Sequence, residues 1–302
     1  MGTLSTPALS IEQRSLRGLR ARSDRKGLIQ LRGHAGALLA TGATIWLARG
    51  TPWILPALVL HGVVLVFLFA PLHEAIHRTA FRSRRLNDGV AWICGGLLVL
   101  PPRYFRAFHF AHHRHTQDAA RDPELMSPKP ATLFAYLRHL SGWPYWRERI
   151  GTTLRHACGR VEEPFIAAQQ RPGIVREARL VLAQYACVAV ASLVLQSGLA
   201  LWLWLLPALL GQPFLRAYLL AEHTGCPLVP DMLENSRTTL TTRLIRWLAW
   251  NMPYHAEHHA HPAIPFHALP AAHVVLKERI AIQAPGYVSV NREILLGLRD
   301  AA

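Results

Sequence analysis

Acidic residues are scarce in this chain: 18 Asp and Glu stand against 33 Lys and Arg, a formal net charge of +15. Cysteines are scarcer. The four, Cys94, Cys158, Cys187 and Cys226, are far apart and form no CxxC pair, which excludes a disulfide framework and a thiolate metal site and leaves them as packing residues in a reducing setting. Neither CxxCH nor an iron–sulfur cysteine run is present, so the chain carries no fused haem or ferredoxin module. No low-complexity linker divides it, and 302 residues read as one domain, 1–302. Charge is missing altogether from one long stretch, between Arg179 and Arg216.

What is present is apolar sequence in bunches. Hydrophobic residues make up 51% of the chain, and they gather into runs at about 33–48, 53–72, 180–196 and 199–220. The second and fourth approach the roughly 20 residues a bilayer requires. Runs one and two are joined by the turn Arg49-Gly50-Thr51-Pro52, and runs three and four by Ser197-Gly198, so each pair reads as a hairpin. Ahead of the first run lies a basic segment, 1–32, with Arg14, Arg17, Arg20, Arg22, Arg25, Lys26 and Arg32 against Glu12 and Asp24. That excess places the N-terminus in the cytoplasm. A secretory signal is not expected, because the second apolar run follows at once and no small-residue cleavage site stands out. The +15 charge is better explained by this topology than by nucleic acid, which is not an expected partner. A shorter stretch from Val90 to Leu100, broken by Gly95 and Gly96 and closed by Pro101 and Pro102, reads as interfacial or re-entrant. The expected fold is all-α and integral to a membrane, with four transmembrane helices in two hairpins. A cytosolic helical cap, 73–179 and 221–302, completes it and keeps both termini in the cytoplasm.

Histidine is the informative residue. Nine of the 17 fall into three clusters and one isolated site: His73 and His77 in HEAIH; His109, His112 and His113 in HFAHH; His255, His258 and His259 in HAEHH; and His223 in AEHTG. Residues at i, i+3 and i+4 share a helix face, so each cluster is expected to aim its imidazoles at one point. Eight or nine converging imidazoles exceed the four ligands of a zinc and point to two ions side by side. An all-imidazole set suits iron, zinc or copper alike. Pro101 and Pro102 suit the start of a helix bearing the second cluster, while Pro253 and Pro262 bracket about two turns for the third. His115 and His261 fall off these faces and are expected to lie outside the ligand set.

The three boxes, in this order and placed in this way around two apolar hairpins, resemble the membrane-bound fatty acid desaturases and their hydroxylase relatives. The surroundings Asn251-Met-Pro-Tyr before the third box, PFHALP at 265–270, and Glu222-His-Thr-Gly ahead of Asn235-Ser-Arg-Thr-Thr resemble the bacterial branch. The resemblance covers about residues 73–273. It implies a histidine-box di-iron site in a bacterial inner membrane, which uses dioxygen and two supplied electrons to remove hydrogen from a fatty acyl chain. The eight box histidines are then iron ligands, and His223 matches the family's extra histidine. An asparagine that can hold a water on one iron in the family has no counterpart here, since Leu219 stands one turn before His223.

Neutral ligands leave two cations uncompensated, so acidic partners are expected to orient the rings; Asp118, Asp122, Glu222 and Glu257 are nearest in sequence. The electrons must come from a separate carrier, of ferredoxin or small haem protein type, and its reductase. Arg103, Arg106, Arg114, Arg121 and Lys129 are candidates to receive that carrier or a substrate head group. Desaturation is the leading outcome, with acyl hydroxylation and olefin-forming decarboxylation as alternatives on the same scaffold. HEAIH also matches the zinc-protease motif HExxH, with Glu74 as general base, but such an enzyme has no use for the two HxxHH boxes.

Overall fold

The computed structural model describes residues 11–300, so the first ten residues of the basic segment lie outside the described part. The fold is helical. Helices α1 (Ile11–Gly18) and α2 (Asp24–Leu47) lead to α3 (Ile54–Val66), which passes through a slight break at Phe67 and Leu68 into α4 (Phe69–His77). Then come α5 (Arg84–Leu97), α6 (Pro102–His115), α7 (Leu133–Leu140), α8 (Trp143–Ala157), α9 (Arg171–Val194) and α10 (Leu206–His223). The C-terminal part contains α11 (Met232–Asn235), strand β1 (Arg237–Thr239), α12 (Arg243–Leu248), α13 (His255–Ala260), α14 (Leu269–Leu276), strand β2 (Ile282–Ala284) and α15 (Tyr287–Asp300). The two strands pair in parallel, Arg237 opposite Ile282 and Thr239 opposite Ala284.

Three stretches are long and apolar enough to cross a membrane by length and composition: Ile54–His77, Ala168–Val194 and Leu201–His223. They contain the second, third and fourth expected runs, and the chain is membrane-associated. The first expected run lies within α2, whose early turns carry Arg25, Lys26 and Arg32; it is not among the helices that qualify as spans. Large apolar side chains such as Leu39, Leu47, Leu193 and Val194 project outward from α2 and α9, as lipid-facing residues do. The Val90–Leu100 segment is the end of α5, a helix of 14 residues and so about 21 Å long, short of the roughly 30 Å of a hydrocarbon core.

Glycine and histidine lock the apolar helices together. A Cβ on Gly62 would collide with the Pro207 carbonyl, and one on Gly211 with the Gly62 carbonyl, so α3 and α10 cross backbone to backbone. Just before α10, residues Leu201–Leu205 form a π-helical turn. His61 Nε2 sits 3.1 Å from the Leu203 carbonyl of that turn, while its Nδ1 lies 2.8 Å from Thr41 Oγ1 of α2. One imidazole thus satisfies an irregular backbone and joins three helices.

The end of α5 shows the same requirement. Its terminal carbonyls at Gly96, Leu97 and Leu98 each accept a hydrogen bond from a different aromatic donor: Tyr185 Oη at 2.6 Å, Trp204 Nε1 at 2.8 Å and Tyr145 Oη at 2.7 Å. Each such bond is worth about 1 kcal/mol, and an unpaired buried carbonyl costs about 1–3 kcal/mol. At the next helix Pro102 occupies the first turn as expected, and the Arg103 N–H donates to Glu177 Oε2 at 2.8 Å. That buried carboxylate from α9 caps the helix that carries the second histidine box.

The crossing yields a direct test. Gly211→Ala should lower the unfolding temperature in detergent, at a cost of about 1–3 kcal/mol for overpacking, whereas Gly36→Ala on α2, with open space around it, should leave it unchanged or raise it. Equal behaviour of the two variants would refute the backbone contact.

Candidate metal centre

Four helices bring the nine histidines together. His73 and His77 come from α4, His109, His112 and His113 from α6, His223 from the end of α10, and His255, His258 and His259 from α13. They fall into two groups. In one, His73, His77, His109, His113 and His258 offer nitrogens that all lie within 4.8 Å of one another. The second has His112, His223 and His259 within the same limit, joined by His255, whose Nε2 is 2.9 Å from His223 Nε2. The His113 and His259 rings stack at 4.1 Å where the groups meet.

This division corrects the expectation that each cluster converges on one point. A helix advances about 100° per residue, so i+4 lies about 40° to one flank of i and i+3 about 60° to the other, and the i+3 and i+4 rings diverge within one face. In the second box His109 and His113 go to the first group and His112 to the second. The third box reverses the allotment, His255 and His259 serving the second group and His258 the first. The HxxHH pattern is therefore a device for feeding two centres from one helix.

The spacing within each group fits a metal. His109 and His113 face each other through Nε2 at 2.9 Å, His113 and His258 at 3.2 Å, and His112 and His223 at 3.2 Å. Nitrogens sharing an ion at about 2.1 Å stand roughly 3.0–3.4 Å apart. Meanwhile His77 Nε2 and His259 Nε2 are buried without a hydrogen-bond partner. Burial, reinforced by the neighbouring imidazoles, holds His109, His113, His255, His258 and His259 well below the usual histidine pKa. They are neutral, with the lone pair a metal requires. His112 shifts the other way: burial disfavours its cation, but the Glu124 and Asp122 carboxylates outweigh it.

In the second group three outer nitrogens are tied down, whereas His73, His113, His255 and His258 have Nδ1 buried without a hydrogen bond. His112 Nδ1 is 2.9 Å from Asp122 Oδ1, whose other oxygen accepts from the Gln117 N–H. His223 Nδ1 lies 3.2 Å from the Asn235 carbonyl, and His259 Nδ1 3.2 Å from Thr116 Oγ1. Thr116 donates to the His112 carbonyl at 2.7 Å, so its oxygen accepts from His259. Such contacts fix the tautomer and leave Nε2 facing inward. His255 Nδ1 has Glu222 Oε1 at 3.4 Å.

Against both groups lies a cavity of about 280 Å³, lined by His73, His109, His112, His223 and His255 and continued by Phe69, Phe105, Phe108, Leu215 and Leu219. Its remaining wall carries Tyr145, Glu148, Arg149 and Arg216. A largely apolar passage ending on imidazoles that could hold metal is suited to oxidising a hydrocarbon chain.

Comparison with known proteins agrees. The sequence model of the fatty acid desaturase family matches residues 13–291. The chain belongs to that family. It is thereby an oxidoreductase. A sn-1 oleoyl-lipid 12-desaturase of Synechocystis sp. is 26% identical over 242 residues, 72% of this chain and 66% of the relative. A protein of the same description from Picosynechococcus sp. is 24% identical over 75% of this chain and 70% of its own length. Another from Anabaena variabilis is 24% identical over 80% and 74%.

For a desaturase of this family, the acidic candidates separate clearly. Asp122 and Glu222 approach ligand rings. Asp118 does not: it pairs with Arg121 and accepts from the Ala120 N–H. Glu257, although between two ligands, turns outward to Thr238 Oγ1 and His273 Nδ1 and so fastens α13 to β1 and α14. The basic candidates have different surroundings, although Arg114 and Arg121 line one surface pocket. Lys129 points inward, its Nζ 3.0 Å from the His223 carbonyl; Arg103 leans on Glu177, Arg106 covers Phe110, Arg121 holds Asp118, and Arg114 is exposed.

Sequence reasoning missed Thr116, Asn235 and Glu124, the last with an oxygen 3.8 Å from His112 Nδ1. Thr116 follows the second box by three residues; Asn235, quoted above only as sequence context, reaches His223 through its backbone carbonyl while its side chain donates to the Thr116 and Val229 carbonyls. Glu74 is buried, accepting from Thr79 Oγ1 at 2.8 Å and the Phe266 N–H at 3.1 Å. Both bonds fall on Oε2, while Oε1 has no hydrogen-bond partner and lies 3.9 Å from His73 Nδ1.

Removing the orienting carboxylate should therefore loosen the second group. Asp122→Asn is expected to weaken metal retention about 10- to 100-fold, read by metal analysis after dialysis against graded chelator, while Asp118→Asn matches the parent protein. Parity between the two variants would exclude the assigned role of Asp122.

Proposed function

We propose that the protein introduces a C=C bond into a saturated fatty acyl chain, using two irons held by the nine histidines and dioxygen as co-substrate. What carries the reading is the apolar cavity that reaches both histidine groups in a chain of the fatty acid desaturase family. In sum, one CH₂–CH₂ unit, O₂, two electrons and two protons become CH=CH and two waters. Iron so bound, reduced and given dioxygen, supplies an oxidant able to take hydrogen from an unactivated C–H bond. The chain's own groups do the rest. Phe69, Phe105, Phe108, Leu215 and Leu219 hold the alkyl chain and keep water from it. His112 and Asp122 keep their relative orientation through the 2.9 Å contact, and Lys129 and Gln117 hold the end of α10 by its His223 carbonyl.

The remaining parts of the reading are proposals of the same standing. Four helices, counting α2, cross a bacterial inner membrane, with the histidine cap and both termini on the cytoplasmic side, as the excess of basic residues favours. A ferredoxin or small haem protein, recharged by its reductase, docks on that side, with Arg114 as the exposed cation nearest the second box in sequence. The three relatives named as 12-desaturases of oleoyl lipid favour a lipid-linked substrate.

Protein purified in mild detergent should hold about two irons per chain, since four to five imidazoles per ion fill most of its coordination positions. One zinc in place of iron in active enzyme would overturn the proposal. The reaction is read from products: a host expressing the chain should convert a deuterated saturated acyl substrate into a mono-unsaturated product of equal carbon number, losing two deuterons from adjacent carbons. A host carrying His113→Ala should not. Oxygen-18 retained in the lipid would indicate hydroxylation, an alkene one carbon shorter would indicate decarboxylation, and either as main product defeats the desaturase reading.

A further inference from the structure

One face of α10 carries Gln212, Arg216, Leu219 and His223 at spacings of four, three and four residues. The stripe runs from polar to apolar to metal ligand. Arg216 and His223 are seven residues apart, so about 10 Å of helix separates them, and Arg216, Leu219 and His223 all line the cavity. At the Arg216 end the polar groups lack partners. Arg216 Nε is buried without a hydrogen bond, as are both polar atoms of the fully buried Gln212 and His139 Nε2. The guanidinium lies over the Tyr145 ring at 4.4 Å, and Tyr145 has already spent its hydroxyl on the Leu98 carbonyl.

Glu124, Glu148 and Glu222 share the cavity with Arg216, but none of them touches it. Glu148 pairs with Arg149, Glu124 lies toward His112, and Glu222 lies toward His255. No carboxylate of the described residues stands within ion-pair distance of Arg216. A buried guanidinium N–H without an acceptor is costly, and the cavity that Arg216 lines leaves room for one. Its planar fork suits an oxyanion, carboxylate or phosphate.

We propose that Arg216 anchors the oxyanion at the head of the acyl substrate, with His139 beside it on the cavity wall, so that the position of oxidation is counted from the head end. This rests on the reading of the cavity as the acyl site. The chain then runs from Arg216 past Leu219 to the histidines, and the bond oxidised lies well along it, away from the head group. A free acid would present its carboxylate, and a phospholipid-type substrate its phosphate.

The test compares probes of one chain length on detergent-purified protein: palmitate, palmitoyl lysophosphatidate and neutral hexadecanol. The parent protein should bind at least one anionic probe about ten-fold or more tighter than the alcohol, the worth of one charge-assisted hydrogen bond. Arg216→Met should abolish that preference while alcohol binding persists, which also shows the cavity intact, and Arg216→Lys should restore part of it. Loss confined to palmitate identifies a carboxylate, and loss confined to lysophosphatidate a phosphate. An unchanged preference, or equal loss for anions and alcohol, overturns the anchor. With C16 and C18 saturated substrates the parent enzyme should place the double bond at the same distance from the head, and Arg216→Met should scatter it. A parent that shows the Arg216-dependent preference yet forms no alkene refutes the reaction and leaves the anchor standing; a parent that desaturates at a fixed distance from the methyl end refutes the anchor alone.

Discussion

Nine imidazoles packed into one buried space constrain everything else in this structure. Each ring nitrogen facing inward carries a lone pair, and several of them meet at 2.9–3.2 Å. A single proton can bridge two such nitrogens but cannot serve the three that meet around His113. Protonation offers no relief, because burial and mutual repulsion push the rings toward the neutral state. Cations are the natural resolution, and the outer hydrogen bonds to Asp122, Thr116 and Asn235 are what keep the inward nitrogens free to meet them.

Holding four helices to that geometry explains features that would otherwise look wasteful. The first box rides on the direct continuation of the Ile54–His77 apolar stretch, and His223 ends the Leu201–His223 stretch, so the tilt of these helices sets the ligand positions. Their crossing is fixed by Gly62 and Gly211, where no side chain intervenes, and by His61, which takes up the carbonyl of the π-helical turn. Two further boxes lie on helices whose starts are pinned: α6 by Glu177, and α13 between Pro253 and Pro262, with Glu257 bonded to neighbouring elements on its far side. A buried carboxylate is expensive to keep away from water, and Glu177 and Glu257 are met by backbone, hydroxyl and imidazole groups.

Much of the site was legible in the sequence because ligand chemistry needs particular side chains at helical spacing. The histidine clusters, the proline brackets and the apolar runs all follow from periodicity and composition. What periodicity could not give was the partition. HxxHH satisfies a single convergent point as easily as two, and only the packing of α6 against α13 shows that His113 and His258 belong together while His112 joins His259. Partners contributed by backbone, such as Asn235, or by long-range approach, such as Glu177 to Arg103, leave no local trace. The basic residues show a second limit of the same kind: charge near a box in sequence says nothing of direction, and Lys129 turns inward to the cavity wall and the His223 carbonyl.

The cavity and the metal groups also constrain each other. A hydrocarbon has no polar feature by which to be placed, so its position along the passage must be set by length, by curvature or by an anchor at one end. The aromatic and aliphatic lining from Phe69 to Leu219 supplies attraction without register. Register therefore has to come from the polar end, and the stripe on α10 joins that end to a metal ligand through one rigid helix, so that Arg216 and His223 cannot move independently. A flexible loop carrying the cation would hold the head group as firmly yet let the alkyl chain slip past the histidines; fixing both on α10 converts head-group recognition into a choice of carbon.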